Sequence, residues 1–311
     1  MAMEPQTGYV RAWVGGTAYE YFKYDQVKMG TRQVGSTAKP FTYAAALQKG
    51  FSPCFQVANV PITIDNWTPK SESTVPGYLT LKKALAKSQN YITAYLMREV
   101  GPTAVATLIK KLGVTSDIPP YPSICLGSFD ASLYDMVGAY STYVNHGVRA
   151  EPLYLLRIED KNGQVLYEKK PKIVVAMEEQ YAYVMTNMLK SVVTEGTGIR
   201  LRYKYKLLNP IGGKTGTTQN NSDGWFIGIT PELVAGVWTG CEDRAIHFSL
   251  TNQGGGANSA LPVFALFMKR VYADPTLNYS KGDFEPPKNG VDITLDCNSY
   301  RQSDPVPQEA Y

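Results

Sequence analysis

Three short stretches place hydroxyl, amine and amide side chains at spacings that support nucleophilic chemistry: Ser36-Thr37-Ala38-Lys39, Ser88-Gln89-Asn90 and Lys214-Thr215-Gly216. A serine and a lysine three residues apart on one helix share a face, so a neutral amine can take the hydroxyl proton. Ser36 then becomes a nucleophile without histidine. Lys39 must be neutral for this, and burial together with a second cation disfavours its charged form. Lys214 is the candidate cation. The second stretch offers Ser88 as a proton relay and Asn90 as a clamp for a substrate amide. The third reads as an edge strand along which an extended substrate lies. Lys214, Thr215 and Thr217 would attract a carboxylate, and small Gly216 would permit close approach.

Each motif has an ordinary explanation when taken alone. A serine three residues before a lysine at a helix start is commonly an N-cap beside a solvated amine. Gly213-Lys214-Thr215 also spells part of a phosphate-binding loop, but the position five residues before Gly213 is Leu208 rather than glycine, and strand-like sequence follows where a helix should open. Tyr143-Val144-Asn145 rivals Ser88-Gln89-Asn90 in form, yet it falls in a predicted helix where core packing accounts for it. The three motifs each occur once, in this order, in predicted helix-start, bend and strand contexts. That co-occurrence outweighs the separate explanations.

The motifs need a scaffold, and 311 residues with 44% hydrophobic content suffice for a substantial core. The formal charge of +4, without long Lys/Arg runs, argues against nucleic acid as a partner and favours anionic substrates weakly. No apolar run approaches the roughly 18 residues of a membrane span. Two histidines, His146 and His247, leave few candidates for a Ser-His-Asp triad or a His-rich metal site, and no metal or cofactor is expected. Four cysteines, Cys54, Cys125, Cys241 and Cys297, lie far apart without a CxxC pair, and the sequence chooses no disulfide among them.

Along the chain, "TGYVRAWVGG" reads as a first strand that "YFKY" turns into a hairpin. "STAKPFTYAAALQKG" is a helix from Ser36 that stops at Gly50, with Pro40 in its first turn. After an irregular stretch from Ser52 to Pro76, helical patterns cover "TLKKALAK", "YITAYLMREVG", "PTAVATLIKKLG", "SLYDMVGAYSTYVNHG" and "EEQYAYVMTNMLKSVV". A hairpin turning at Asn162-Gly163 precedes the last of these. The pattern then changes to period two in "DGWFIGIT", "LVAGVWTG" and "AIHFSLT", and "SALPVFALFMKRVY" closes the body. A polar, Pro-rich tail follows, in which "VDITL" could add a strand. The expected architecture is α+β: an antiparallel sheet from about 1–50 and 205–280, a mainly helical insert over 51–204, and an extended tail over 281–311.

The stretches "AMEPQTGYVRAWVGG", "RQVGSTAKPFTYAAAL", "LKKALAKSQNYITAYLM" and "GGKTGTTQNNSDGWFIGITPELVAGVWTG" resemble the transpeptidase domain of class A, bifunctional penicillin-binding proteins. The resemblance implies a five-stranded antiparallel sheet flanked by helices and joined to a helical subdomain. It implies a serine-type D,D-transpeptidase that cross-links peptidoglycan stem peptides, with Ser36, Lys39, Ser88 and Lys214 catalytic and with Asn90, Thr215, Gly216 and Thr217 binding substrate. The N–H groups of Ser36 and Thr217 would form the oxyanion hole. Expected partners are donor and acceptor stem peptides and β-lactams. In full-length class A proteins they include a glycosyltransferase domain and a membrane anchor facing the cell wall; this chain reads as a soluble fragment without either. A D,D-carboxypeptidase and a β-lactam sensor are the alternatives. A class A β-lactamase would need a Glu-x-x-x-Asn segment between Asn90 and Lys214, which is missing.

Overall fold

The computed structural model describes residues 1–17, 20–71 and 75–301. Its centre is an antiparallel sheet of β1 (Ala2–Met3), β2 (Val10–Ala12), β3 (Gly212–Thr217), β4 (Asp223–Ile229) and β5 (Val234–Gly240), in the order β3-β4-β5-β1-β2. Segments far apart in sequence thus meet where β1 pairs with β5, Ala2 opposite Ala235. Every residue of β4 is buried, because both faces of the sheet are covered, so alternation along it sorts residues between two cores rather than between core and solvent. Phe226 faces one core and meets Phe264 at 4.9 Å. Trp225 and Ile227 face the other.

The first core lies under the helix α7 (Ala260–Ala273), whose Leu261, Phe264, Ala265 and Met268 are buried. The ring of Phe264 occupies the space that a Cβ on Gly228 would need, which makes glycine a packing requirement on β4. The second, larger core is built by α1 (Lys39–Gln48), α2 (Leu81–Ala86), α3 (Asn90–Val100), α4 (Pro102–Lys111), α5 (Leu133–Val144) and α6 (Glu179–Thr194). Helix α1 is buried from Lys39 to Leu47, the signature of a helix with neighbours all round. Helices α5 and α6 also reach the sheet: a Cβ on Gly236 of β5 would strike Val137 and Leu133, and Gly212 of β3 lies against Leu189.

Several expected elements differ. The fifth strand is Ala2–Met3, whereas "AIHFSLT" is irregular and leaves Ile246, Phe248 and Leu250 exposed. "YFKY" forms no hairpin strand; β2 hairpins back to β1 instead. "VDITL" is not a strand, yet Val291, Ile293 and Leu295 pack against the helical core, and a disulfide joins Cys297 to Cys54 with Cα atoms 5.0 Å apart. The irregular stretch after Ser52 contains Gln56–Ala58, paired with Tyr78–Thr80. Part of the tail, 302–311, lies outside the described residues. Among the described residues, no helix is long and apolar enough to cross a membrane.

Candidate active site

Ser36 sits in a 3-10 turn, Gly35–Ala38, that runs directly into α1. The N-cap positions are Val34 and Ala38, and neither turn nor helix is capped by the Ser36 side chain, so the hydroxyl is not spent on helix initiation. The turn is held elsewhere: the Thr37 hydroxyl donates to Val34 O at 2.6 Å, and the Tyr140 hydroxyl donates to Thr37 O at 2.6 Å. Gly35 has a φ of +53°, and a Cβ there would stand 2.7 Å from Thr217 O. Only glycine lets the turn that carries Ser36 approach β3 so closely.

Lys39 and Lys214 are fully buried. The Lys39 ammonium donates to Ser88 O, to Ser88 Oγ at 3.2 Å and to Asn90 Oδ1 at 2.6 Å. Lys214 donates to the same Ser88 Oγ at 2.9 Å and to Thr215 O at 3.0 Å. No carboxylate bonds either amine among the described residues, so burial is uncompensated by an opposite charge. Burial lowers the Lys39 pKa to about 7, although the nearby Cys125 thiol opposes the shift. Burial also holds Lys214 well below the ordinary lysine value, and the charge on Lys39 depresses it further. At pH 7 Lys39 can therefore accept and release a proton, which an ordinary lysine cannot do.

Ser88 reaches both amines because its backbone is left-handed, with a φ of +56°. Its N–H donates to Leu85 O and that of Gln89 to Ala84 O, the two bonds of a Schellman ending to α2. Glycine usually occupies this position; serine there stores roughly 1–3 kcal/mol of strain and turns both its carbonyl and its hydroxyl onto Lys39. Buried Gln89 secures the turn: its Oε1 accepts from Asn59 Nδ2 at 2.7 Å and from Val75 N at 2.9 Å, and its Nε2 donates to Lys87 O. Asn90 opens α3, and its Nδ2 donates to Lys70 O at 2.7 Å.

Just past β3, Thr218 N–H donates to Asp223 O, so the alternate N–H of Thr217 points away from β4, at the edge that the Gly35 turn approaches. The Ser36 N–H likewise has no partner within its own turn. Thr215 Oγ1 lies 2.7 Å from Thr197 Oγ1, and Thr217 Oγ1 accepts from Gly256 N at 3.1 Å. A Cβ on Gly216 would meet Val34 O and Thr37 Cγ2 at 2.9 Å, so the missing side chain serves the seating of the Ser36 turn, whatever lies along the strand.

Hydrogen bonds therefore join Lys39, Ser88, Asn90 and Lys214, and the turn that carries Ser36 packs against β3 at Thr217, while the Ser36 hydroxyl makes no hydrogen bond among the described residues. Tyr143 is buried in the core and Asn145 Nδ2 donates to Val148 O, consistent with packing for that triplet. His146 pairs with Glu179 on the surface, and His247 is exposed. No group of His, Cys, Asp or Glu among the described residues could hold a metal. Sequence reasoning did not find Gln89, Thr197 or the Gly35 contact. Each depends on a tertiary neighbour, and only the glycine before Ser36 carries a local signal.

Residues 1–241 match the family described as penicillin binding protein transpeptidase domain. The chain is 33% identical to penicillin-binding protein 1A of Rickettsia conorii over 91% of its own length and 39% of that protein. It is 33% identical to the Aquifex aeolicus protein of the same name, over 94% of this chain and 40% of that one. The chain thus spans about two fifths of these relatives. The structure of the penicillin-binding protein PonA1 from Mycobacterium tuberculosis is similar over 100% of this chain and 83% of that one, with a TM-score of 0.82 at 24% identity, a likeness of fold.

Proposed function

Because the chain belongs to the penicillin-binding protein transpeptidase family, we propose that it cross-links peptidoglycan stem peptides through an acyl-enzyme on Ser36, and that β-lactams acylate the same serine. The observation that carries the proposal is the placement of Ser88 Oγ between two buried amines, Lys39 and Lys214, neither paired with a carboxylate. Such a pair provides both a base and a proton path at neutral pH.

In this reading the donor peptide lies along the free edge of β3, with the carbonyl between its two terminal D-alanines over Ser36. Neutral Lys39 takes the hydroxyl proton as Oγ attacks. The N–H groups of Ser36 and Thr217 receive the developing oxyanion, helped by the N-terminal end of α1. The proton passes through Ser88, with Lys214 beside it, to the leaving amine of D-alanine. Lys214, Thr215 and Thr217 hold the terminal carboxylate. Asn90 takes the donor's amide by exchanging its bond to Lys70 O. An acceptor amine then displaces Ser36 and completes the cross-link. Gly216 contributes by allowing the turn and strand to meet.

This activity belongs on the outer side of the cytoplasmic membrane, where peptidoglycan is assembled, and the Cys54–Cys297 disulfide suits an oxidising compartment. The class A resemblance implies a longer protein with a glycosyltransferase domain and a membrane anchor. The test is incubation with a fluorescent penicillin, followed by adduct mass, lifetime and peptide mapping, with Ser36→Ala as control. A long-lived adduct on Ser36 and D-alanine release from a stem pentapeptide support the proposal. Rapid turnover of the label indicates a β-lactamase, and a stable adduct without D-alanine release indicates a sensor. Release without cross-linked product indicates a carboxypeptidase.

A further inference from the structure

A transfer reaction needs a place for its second peptide. A concavity of about 720 Å³ opens beside the nucleophile's turn, with Gln33, Asp117, Tyr121, Phe129, Asp130 and Arg244 among its walls. It is built into the same hydrogen-bonded piece as Ser36: Gln33 pairs with Asp130 across two short strands, Val34 N–H donates to Phe129 O at 3.2 Å, and Gly35 N–H donates to Gly127 O at 3.3 Å. Gln33 precedes Ser36 by three residues, so their Cα atoms are within about 11 Å. A second concavity, about 650 Å³ around Arg11, Glu232 and Tyr279, lies by β2 at the opposite edge of the sheet from β3.

The walls carry both signs of charge and an aromatic face. The exposed Asp117 carboxylate bonds no described residue. Arg244 pairs with Asp130 at 3.1 Å, with both side chains about half exposed, a pair weak enough to exchange partners. Tyr121 is 65% exposed, although it is large and aromatic. A carboxylate and an aromatic face suit an ammonium group, and the guanidinium suits a carboxylate.

We propose that this concavity is the acceptor subsite: Asp117 and Tyr121 receive the ammonium of an amine-bearing peptide, and Arg244 receives a carboxylate of the same peptide. The inference rests on the transpeptidase reading above and adds where the second substrate sits. The ammonium loses one proton to solvent before reaction. The neutral nitrogen attacks the acyl carbonyl, the C–N bond forms and the C–Oγ bond breaks. The proton lost by nitrogen passes through Lys39 to Ser36 Oγ.

The experiment uses a soluble stem pentapeptide as donor and a lysine-containing peptide with a free side-chain amine as acceptor. It compares the chain with its Asp117→Asn, Tyr121→Ala and Arg244→Gln variants, and follows D-alanine release, penicillin acylation, and the ratio of cross-linked to hydrolysed product. Each variant is expected to lower that ratio about fivefold through a raised acceptor KM, with acylation within about twofold of the parent. Ratios unchanged in all three variants, or acylation falling in step with the ratio, overturn the subsite. Hydrolysis without cross-linking by the parent overturns it too, while leaving the acyl-serine intact. Absence of any Ser36 adduct in the parent overturns the transpeptidase reading itself, and the subsite with it.

Discussion

On the proposed mechanism, the most direct consequence of the buried amines is a pH dependence of acylation set by Lys39. The perturbation is pH alone, across 5.5 to 9.5, and the observable is the second-order rate constant for acylation by a penicillin whose carboxylate stays ionised throughout. With Lys39 at about pH 7, the neutral, basic form is half populated there. About 3% remains at pH 5.5, and the rate levels off above roughly pH 8. A solvated lysine of ordinary pKa would behave otherwise: its neutral fraction rises about tenfold per pH unit across the whole range, with no plateau before about pH 10. The two profiles differ in shape as well as position, so stopped-flow measurement at eight or so pH values separates them. A rate still climbing tenfold per unit at pH 9 would refute the claim that burial neutralises Lys39. A flat profile from pH 5.5 upward would refute the assignment of Lys39 as the base.

The same shift has a cost in stability. Between about pH 7 and pH 10.5 the unfolded chain binds the proton that folded Lys39 has lost, so unfolding free energy rises with pH by up to about 1.4 kcal/mol per unit, or about 5 kcal/mol in total. Lys39→Met should therefore gain stability over the parent as pH falls through that window, with the gap constant below pH 7, while forming no penicillin adduct; urea titrations at pH 5.5, 7 and 10 check the gap, and fluorescent penicillin labelling checks the adduct. Gly35→Ala must accommodate a Cβ 2.7 Å from Thr217 O at positive φ; it should lose about 1–3 kcal/mol by denaturation and acylate at least about tenfold more slowly. Cys54→Ser removes the bond that closes a separation of 243 residues and should cost about 2–5 kcal/mol, read as a lower urea midpoint that reductant reproduces in the parent.

What could be read in advance depended on how local the signal was. The helix after Ser36, the bend at Ser88 and the strands from Lys214 to Gly240 carry period, caps and turn residues within a few positions, and they stand where expected. Two residues, Ala2 and Met3, are too few to show any period, and their strand exists only because β5 offers an edge. "AIHFSLT" alternates as a strand should but finds no sheet edge: the chain turns into the loop that brings Gly256 to Thr217. "VDITL" alternates because it packs on helices, tethered by a disulfide whose pairing four scattered cysteines could not reveal. In the site, the spacing of serine and lysine was legible. The left-handed Ser88, which puts one hydroxyl between both amines, was not, because it is enforced by Gln89 and its distant partners Asn59 and Val75.

Strand β3 is the outermost strand of its sheet. Such an edge is a template for any extended chain, and most soluble folds blunt it to avoid association with their neighbours. On the proposed function, blunting it would remove the edge along which the donor peptide lies. The protection comes from enclosure: α6, the turn at Gly35 and the loop at Gly256 surround the strand, and five of its six residues are buried. In that reading, this enclosure would admit a single extended peptide more readily than the edge of another folded sheet. On the proposed function, selectivity for substrate and resistance to self-association would arise from one geometric restriction, and changes that loosen the enclosure of β3 should make the protein stickier as well as less discriminating.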